Sequence, residues 1–224
     1  MPAIPKHRQP IINAAVTLFR RQGYSATGLN DIVDESGAPK GSLYHYFPAG
    51  KSSIAVAAVE EAGRRVAGTV AQLAKDTRSA GDLIKGHARL LAGWMRKSGF
   101  RDGCPITTVL LELAPADRAV AQAGREAYAA RLDILIEKLR ADGFPPERAE
   151  RLAGLCVSAI QGALIQARVE RSGAPIEAAA DELARMLEAA ASRRSAGADP
   201  GSAPAHEEAR FPSQGRLRLP RRPI

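Results

Sequence analysis

The sequence predicts an all-α fold, and three observations support that prediction. Alanine, leucine, arginine and glutamate dominate the composition, and apolar residues recur at three- and four-residue steps. Runs that alternate apolar and polar residues, as strands do, are missing. Glycine and proline divide the chain into segments of helical length. We therefore expect nine helices and no strand.

Three short helices are predicted within the first 50 residues. Pro10 opens the first, since a proline there gives up a backbone N–H that would be unpaired anyway, and Gly23 ends it. Thr27 is the predicted N-cap of the second helix, which Gly37 ends. The third helix covers residues 40–46.

Six further helices are predicted after these. Apolar periodicity and the intervening polar turns place them at residues 51–75, 83–98, 105–113, 116–141, 146–172 and 176–191. From residue 192 onward Ser, Gly, Ala, Pro and Arg prevail, and the apolar periodicity is lost. Residues 192–224 are therefore predicted to form a disordered tail.

The composition, with 45% apolar and 25% charged residues, is ordinary for a globular protein. A cytoplasmic location is expected for a separate reason, the lack of membrane and signal segments. No apolar run approaches the roughly 20 residues that cross a bilayer, and the N-terminus lacks the apolar region of a signal peptide. Cys104 and Cys156 show no metal-ligand spacing and are read as small buried hydrophobes, with a disulfide or a reactive thiol as alternatives. We expect no membrane contact, no metal and no cofactor.

Positive charge is concentrated at the two ends of the chain, whose net charge is +8. Residues 1–51 carry six basic and three acidic side chains, and residues 192–224 carry seven arginines and three acidic side chains. Such a distribution favours contact with a polyanion at one end of the fold. Solubility alone is the alternative explanation, especially for the tail.

The segment TGLNDIVDESGAPKGSLYHYF, residues 27–47, has the layout of a helix-turn-helix. The first short helix has apolar residues on its inner face, and Gly37 supplies a turn where a left-handed backbone is cheap. Leu43 and Phe47, four residues apart, lie on one face of the second helix and are expected to pack inward. A unit of this kind holds its second helix against the major groove of DNA.

Polar and aromatic side chains are left on the other faces of that second helix. Lysine can donate to guanine or to phosphate, and tyrosine and histidine can donate to phosphate oxygens. A glycine lets the backbone approach the groove, and a lysine at the start of the next helix lies where a phosphate is favoured. These candidate DNA contacts are Lys40, Gly41, Ser42, Tyr44, His45, Tyr46 and Lys51.

The run LFRRQGYSATGLNDIVDESGAPKGSLYHYFPAGK resembles the DNA-binding domain of TetR-type bacterial transcriptional regulators. FPAGK and DGCPITTVLLEL at residues 102–113 are similar to the LmrA/YxaF-like subgroup, whereas Pro10 departs from the polar or charged residue of many relatives. The resemblance implies a three-helix DNA-binding domain at residues 1–50 and a six-helix ligand-binding and dimerisation domain at residues 51–191.

The resemblance also implies a function. We expect a homodimer that binds a palindromic double-stranded DNA operator, usually as a repressor, and that a small hydrophobic or aromatic effector releases. By the same resemblance, Thr27 and Lys51 are expected to contact DNA phosphates. Residues 40–42 are expected to enter the groove, and residues 44–46 to contact a phosphate or a base edge.

The last helices supply candidates for the dimer interface and the effector site. Small residues recur every four positions on the eighth helix, and apolar residues form a stripe on the ninth, which predicts a dimer interface on these two helices. Packing within one chain is the alternative. The candidate interface residues are Gly154, Ser158, Gly162, Leu183, Met186 and Leu187. The resemblance assigns an apolar effector pocket with a few polar anchors. Its candidate residues are Trp94, Met95, Phe100, Cys104, Ile106, Leu110, Tyr128, Leu132, Gln161 and Arg168.

Two other classes of function remain as alternatives. A helical enzyme is disfavoured because the four histidines are scattered and no Gly-rich phosphate loop, HExxH or GxSxG motif occurs. A helical adaptor that has lost DNA binding is disfavoured by the basic segment at residues 37–51.

Overall fold

The computed structural model describes residues 6–196. In that range the chain forms nine α-helices and no strand, which confirms the predicted all-α class. The helices are α1 (Arg8–Gln22), α2 (Leu29–Ser36), α3 (Lys40–Tyr46), α4 (Lys51–Asp76), α5 (Ala80–Lys97), α6 (Pro105–Leu113), α7 (Arg118–Ala141), α8 (Pro146–Glu170) and α9 (Ala174–Ala196).

Several helix boundaries differ from the prediction, among them those of α1, α5 and α9. α1 begins at Arg8, so Pro10 lies within its first turn, where backbone N–H groups have no helical partner in any case. α5 begins before residue 83 because Ser79 caps it, its Oγ accepting from the Asp82 N–H at 3.1 Å. α9 continues to Ala196, past the predicted end at residue 191, and the remainder of the predicted tail lies outside the described residues.

Thr27 was predicted to cap α2, and the structure shows that this is wrong. Gly28 occupies the N-cap position with an extended backbone, and its N–H donates to Asp31 Oδ2 at 2.7 Å. Thr27 is fully buried, and its Oγ1 donates to the carbonyl of Gly23 at 2.8 Å. This hydrogen bond therefore stabilises the turn between α1 and α2.

Two apolar clusters form the core of the described residues. The first joins α1, α2 and α3 to α6 and to the N-terminal parts of α4 and α7. The second joins α5, α8 and α9 to the C-terminal parts of α4 and α7. The predicted domain division at residues 50 and 51 matches the start of α4, but the first apolar cluster continues across it.

The contact between α4 and α7 is unusually close. A Cβ added to Gly63 on α4 would lie 2.6 Å from the Ala127 Cβ on α7. Real Cβ atoms do not approach each other this closely, so a glycine at residue 63 permits the contact. Because both helices contribute to both apolar clusters, this contact joins the two halves of the protein.

Candidate DNA interface and effector cavity

The α2–α3 unit has the helix-turn-helix geometry that its sequence predicts. Gly37 ends α2 in the left-handed conformation (φ 63°, ψ 14°), a backbone that glycine adopts without steric penalty. Leu43 is fully buried and Phe47 is 3% exposed, so both anchor α3 to the first apolar cluster. These anchors fix which face of α3 is left to the solvent.

Four of the predicted DNA contacts form one exposed face of α3. Lys40, Gly41, Tyr44 and His45 are exposed, and they follow the i, i+1, i+4, i+5 spacing of a single helical face. No atom lies within 4 Å of a Cβ added to Gly41, so packing within the chain does not require a glycine there. Open space at this position leaves the backbone accessible to a partner.

Ser42 and Tyr46 are only partly exposed. The Ser42 N–H donates to the carbonyl of Pro39 at 2.8 Å, which places this residue in the first turn of α3. Tyr46 packs against the first apolar cluster, and its ring meets the ring of His45 edge-on at 4.9 Å. Tyr46 therefore orients His45 in addition to presenting its own partly exposed edge.

Two predicted phosphate contacts are directed into the protein. The buried Thr27 hydroxyl is already bonded to Gly23, so we withdraw Thr27 as a DNA contact. The Lys51 Nζ lies 4.2 Å from the centre of the Tyr24 ring and 3.5 Å from the carbonyl of Ser25. Burial lowers the pKa of Lys51, while Glu112 opposes that shift. In this structure Lys51 holds the start of α4 against the α1–α2 turn.

Glu112, at the end of α6, holds the same turn from the other side. Its Oε1 accepts from the Tyr24 N–H and its Oε2 from the Ser25 N–H, each at 2.8 Å. Burial opposes ionisation of this carboxyl, but the bonds from Ser25 and Tyr24 and the charge of Lys51 outweigh it and lower the pKa of Glu112. We call this contact the α6 clasp.

Sequence reasoning did not identify Glu112. The only signal is an acidic residue near the end of an otherwise apolar helix, PITTVLLEL. The α5–α6 loop adds a second link, in which the Gly103 N–H donates to the carbonyl of Arg20 at 2.7 Å and Asp102 lies 3.0 Å from the Arg20 Nε. The DNA-binding unit is thus attached to the rest of the chain at several points.

A narrow cavity lies between α4, α5, α7 and α8. The cavity has a volume of about 40 Å³, which is room for roughly three waters. Its walls are mostly apolar, with one arginine and one histidine. The lining residues are Val70, Leu83, Ile84, His87, Arg131, Leu135, Cys156, Val157 and Ile160.

None of the ten predicted effector residues lines this cavity. Trp94 is 46% exposed on α5, and Arg168 donates to the carbonyl of Arg21 at 3.3 Å. Met95 and Ile106 are core residues, whereas Phe100 is half-buried at the end of α5. These five side chains lie outside the cavity because they occupy other faces of the helices that border it, and their part in effector binding stays a prediction.

Three others, namely Leu110, Tyr128 and Leu132, line a more open groove between α6 and α7. Tyr128 also belongs to a polar cluster beside the cavity, since its hydroxyl lies 3.1 Å from Thr107 Oγ1. Gln161 bridges this cluster to Arg131 when its amide is assigned with the nitrogen toward Thr107, so that the nitrogen donates to Thr107 Oγ1 and the oxygen accepts from Arg131 Nη1 at 2.8 Å and Nη2 at 3.2 Å. This orientation of the amide satisfies both of its ends. Cys104, partly buried, borders the same cluster.

Burial governs the titratable groups of the cavity. It lowers the pKa of His87 to about 4, with a further contribution from the charge of Arg131, so the imidazole is neutral at pH 7. Burial also raises the pKa of the Cys156 thiol to about 11, which suppresses the reactive thiolate. Both cysteines are free, and Cys156 packs as the small hydrophobe that its sequence context suggests.

An apolar stripe on α8 faces away from the protein core. Leu155, Ile165 and Val169 are 49%, 57% and 79% exposed, and the predicted dimer residues Ser158 and Gly162 complete their three- and four-residue spacing. A Cβ added to Gly154 or to Gly162 would meet nothing within 4 Å. Packing within the chain therefore does not require a glycine at residue 154 or at residue 162. We call residues 155, 158, 162, 165 and 169 the α8 stripe.

The α9 part of the predicted dimer interface needs a correction. Leu183 and Leu187 are 8% and 3% exposed, and they belong to the second apolar cluster of their own chain. A Cβ added to Gly81 on α5 would lie 3.3 Å from the Ala184 Cβ, which shows how closely the inner face of α9 packs. Met186 is partly exposed and remains a candidate.

α8 is also the one helix of the described residues that is long and apolar enough to cross a membrane. Length and composition are weak support for a membrane span, because a core helix of a soluble protein passes the same test. The apolar composition of α8 is explained by its buried face, which packs in the core, and by the exposed apolar stripe on its other face.

Comparison with known proteins identifies the family. An uncharacterised HTH-type transcriptional regulator of Mycobacterium tuberculosis is 34% identical to this chain over 193 residues, which cover 84% of this chain and 97% of that protein. The family model for bacterial regulatory proteins of the tetR family matches residues 11–58. The chain belongs to the TetR family of transcriptional regulators. A second model, for the C-terminal domain of LmrA/YxaF-like transcriptional regulators, matches residues 80–182 and confirms the predicted subgroup.

One further relative is similar to this chain in sequence, and two solved structures are similar to it in fold. The HTH-type transcriptional regulator LmrA of Bacillus subtilis is 31% identical over 169 residues, covering 75% of this chain and 90% of that protein. The regulatory protein TetR of Rhodobacter sphaeroides has the same fold, with a TM-score of 0.72 at 22% identity over 80% of this chain and 97% of that one. FadR of Bacillus subtilis, in complex with stearoyl-CoA, has a TM-score of 0.61 at 20% identity over 80% of this chain and 96% of that one.

These relatives are transcriptional regulators and not enzymes, which confirms the sequence-based exclusion of an enzyme. Across the described residues no group of three or more His, Cys, Asp or Glu side chains could hold a metal ion. TetR-family members bind DNA, and dimerisation and ligand binding are typical of the family.

Proposed function

We propose that this protein is a ligand-responsive repressor that binds a palindromic operator as a homodimer and is released by a small hydrophobic or aromatic effector. The observation that carries the proposal is the exposed face of α3, formed by Lys40, Gly41, Tyr44 and His45 and anchored from below by Leu43. A helix presented in this way fits the major groove, which is about 12 Å wide. Its lysine, tyrosine and histidine can donate to base edges or phosphates.

The α8 stripe supports the homodimer. An exposed row of apolar residues flanked by glycines fits a symmetric helix contact, in which small residues allow close approach. Two copies of α3, related by a two-fold axis, would read two half-sites about one helical turn apart. We place the dimer in the cytoplasm, where the DNA is.

The route from effector to DNA runs through α4 and α6. α4 contributes Ile54 to the core beneath the DNA-binding unit and Val70 to the wall of the cavity. An organic molecule is larger than the present cavity, so its entry requires the walls to separate. Displacement of α4 relative to α6 would strain the α6 clasp and change the spacing of the two α3 helices.

The mostly apolar cavity wall supports a hydrophobic or aromatic effector. FadR of Bacillus subtilis has the same fold and was solved with stearoyl-CoA, so this fold can accommodate an acyl compound in that protein. The cavity described here is narrow, which favours a smaller molecule.

DNA binding can be tested with the DNA upstream of the protein's own gene. We expect a complex that survives an excess of unrelated competitor DNA and weakens steeply between low and moderate salt, because phosphate contacts release counterions. Lys40→Ala should alter the preference among operator variants if Lys40 reads a base. Lys75→Ala, an exposed lysine at the far end of α4, is the matched control. Absence of any competitor-resistant complex would contradict the proposal.

A further inference from the structure

Resting on the proposed function, we propose that the effector is a small apolar molecule with one carboxylate, and that this carboxylate pairs with Arg131 in the cavity between α4, α5, α7 and α8. This assigns the chemical class of the effector and names the residue that selects it.

The first observation is that the charge of Arg131 is buried without a counter-charge. The residue is 6% exposed and lines the cavity. No Asp or Glu of the described residues forms an ion pair with it, although nine such pairs occur elsewhere in that part of the chain. A buried charge is normally paired, because desolvation without a partner is strongly unfavourable.

The second observation is that the hydrogen bonding of Arg131 is incomplete. Its two Nη atoms donate to the neutral oxygen of Gln161, its side chain also hydrogen-bonds Tyr128, and its guanidinium carbon lies 4.4 Å from the centre of the Tyr128 ring. Its Nε is buried and has no partner. The amide and the ring orient a guanidinium but do not neutralise it. An anion is the group that would do so, and carboxylate geometry matches the planar donors of arginine.

The third observation is the apolar character of everything else around the cavity. Its walls include Val70, Ile84, Leu135 and Ile160, which offer no polar partner to a ligand. His87, the other polar residue of the lining, is uncharged at neutral pH and so does not repel a cation or attract an anion. One fixed positive charge in an apolar wall fits a ligand with one negative group and an apolar body.

If Arg131 had only a structural role, its buried charge would have no counter-charge in any state of the protein. Even buried ion pairs can often be replaced by apolar residues of similar volume with neutral or stabilising effect, and removing a buried charge without a counter-charge also removes its desolvation penalty. The proposal therefore predicts that Arg131→Met, without any ligand, unfolds at the same temperature as the wild type or at a higher one. A marked loss of stability would indicate a structural role and would overturn the proposal.

Binding can be measured on the full chain without DNA. Thermal shifts are recorded with phenylacetate, octanoate and 2-naphthoate, each beside its primary amide, up to millimolar concentration. We expect at least one acid to stabilise the wild type with an affinity about tenfold or more above that of its amide, because the amide lacks the charge-assisted bond. Arg131→Met should remove that preference, and Arg131→Lys should retain part of it.

Arg140→Met, an exposed arginine in the last turn of the same helix, is the matched control and should behave as the wild type. Equal stabilisation by acid and amide, stabilisation by chloride or phosphate alone, or no stabilisation by any acid would each overturn the proposal. A separate titration of the protein–DNA complex with the same acids distinguishes failure of the Arg131 site from failure of the proposed repressor function. An acid that binds through Arg131 but leaves the complex intact would contradict the repressor function and uphold the site.

Discussion

The DNA-binding face and the effector cavity differ in how the chain builds them. The face of α3 comes from residues 40–45, adjacent in sequence and positioned by two anchors, Leu43 and Phe47. The cavity draws its walls from four helices that are far apart in the sequence. A contiguous site can be recognised as a motif, whereas a dispersed one appears only when the helix faces are known.

The two regions also differ in how their polar groups are satisfied. Water can hydrogen-bond the exposed side chains of α3, so their replacement should change DNA binding with little effect on folding. Arg131 is buried, and burial in the cavity wall lowers the pKa of His87, so replacing His87 should change the pH dependence of stability. Replacing Arg131 with an apolar residue should leave stability unchanged or raise it. Four substitutions test this contrast, from the largest expected effect to the smallest.

Phe47→Ala should give the largest loss. The ring is 3% exposed and anchors the end of α3, and truncation of a buried phenylalanine typically costs about 3–5 kcal/mol of unfolding free energy. Urea denaturation measures the loss, and DNA binding should fall in parallel because α3 is no longer held. A loss of DNA affinity with unchanged stability would show that Phe47 is not an anchor.

Ile165→Glu addresses the α8 stripe. Ile165 is 57% exposed in the single chain, so the folded protomer should tolerate the change, while a charge buried in a symmetric contact should weaken the dimer by about tenfold or more. Sedimentation velocity at several concentrations measures the shift toward monomer. Glu170→Gln, near the end of the same helix, serves as the control. An unchanged dimer would place the interface elsewhere.

His87→Leu should remove a pH-dependent part of stability. The folded-state pKa of about 4 lies below the ordinary 6.5, so the folded protein binds fewer protons between these values. The stabilising contribution is complete above about pH 6.5, and linkage predicts a loss of roughly 2 kcal/mol between pH 7 and pH 5. Urea denaturation should therefore show that the unfolding free energy of His87→Leu falls by roughly 2 kcal/mol less than that of the wild type between pH 7 and pH 5. Arg89→Gln, an exposed neighbour, should retain the wild-type slope.

Glu112→Gln should have a small effect on stability and a clear local effect on the α1–α2 turn. Glu112 and Ser25 are exposed, so solvent screening should limit the loss of stability to about 1 kcal/mol or less. Hydrogen exchange at Tyr24 and Ser25 should accelerate, because their N–H groups lose a charged acceptor. Glu126→Gln, an exposed glutamate on α7, is the control. Unchanged exchange would show that the clasp does not hold the turn.

The sequence allowed prediction of the helices, the helix-turn-helix and the family, because each depends on local periodicity, glycine positions or a contiguous motif. Thr27 was misassigned because a capping residue and a buried residue of the preceding turn look alike without the backbone dihedrals. Arg131 and Glu112 were missed because an arginine or glutamate on an amphipathic helix normally faces solvent, and only tertiary packing shows otherwise. Leu183 and Leu187 were misassigned because the inner and outer apolar faces of α9 have the same spacing.

DNase footprinting of the upstream DNA, comparing the wild type with Tyr44→Ala, tests the central claim most directly. Tyr44 is 49% exposed on α3, so the variant should fold as the wild type does. We predict that the wild type protects two symmetric half-sites about one helical turn apart and that Tyr44→Ala protects neither at the same concentration. Equal protection by both proteins, or protection by the wild type without two-fold symmetry, would contradict the account.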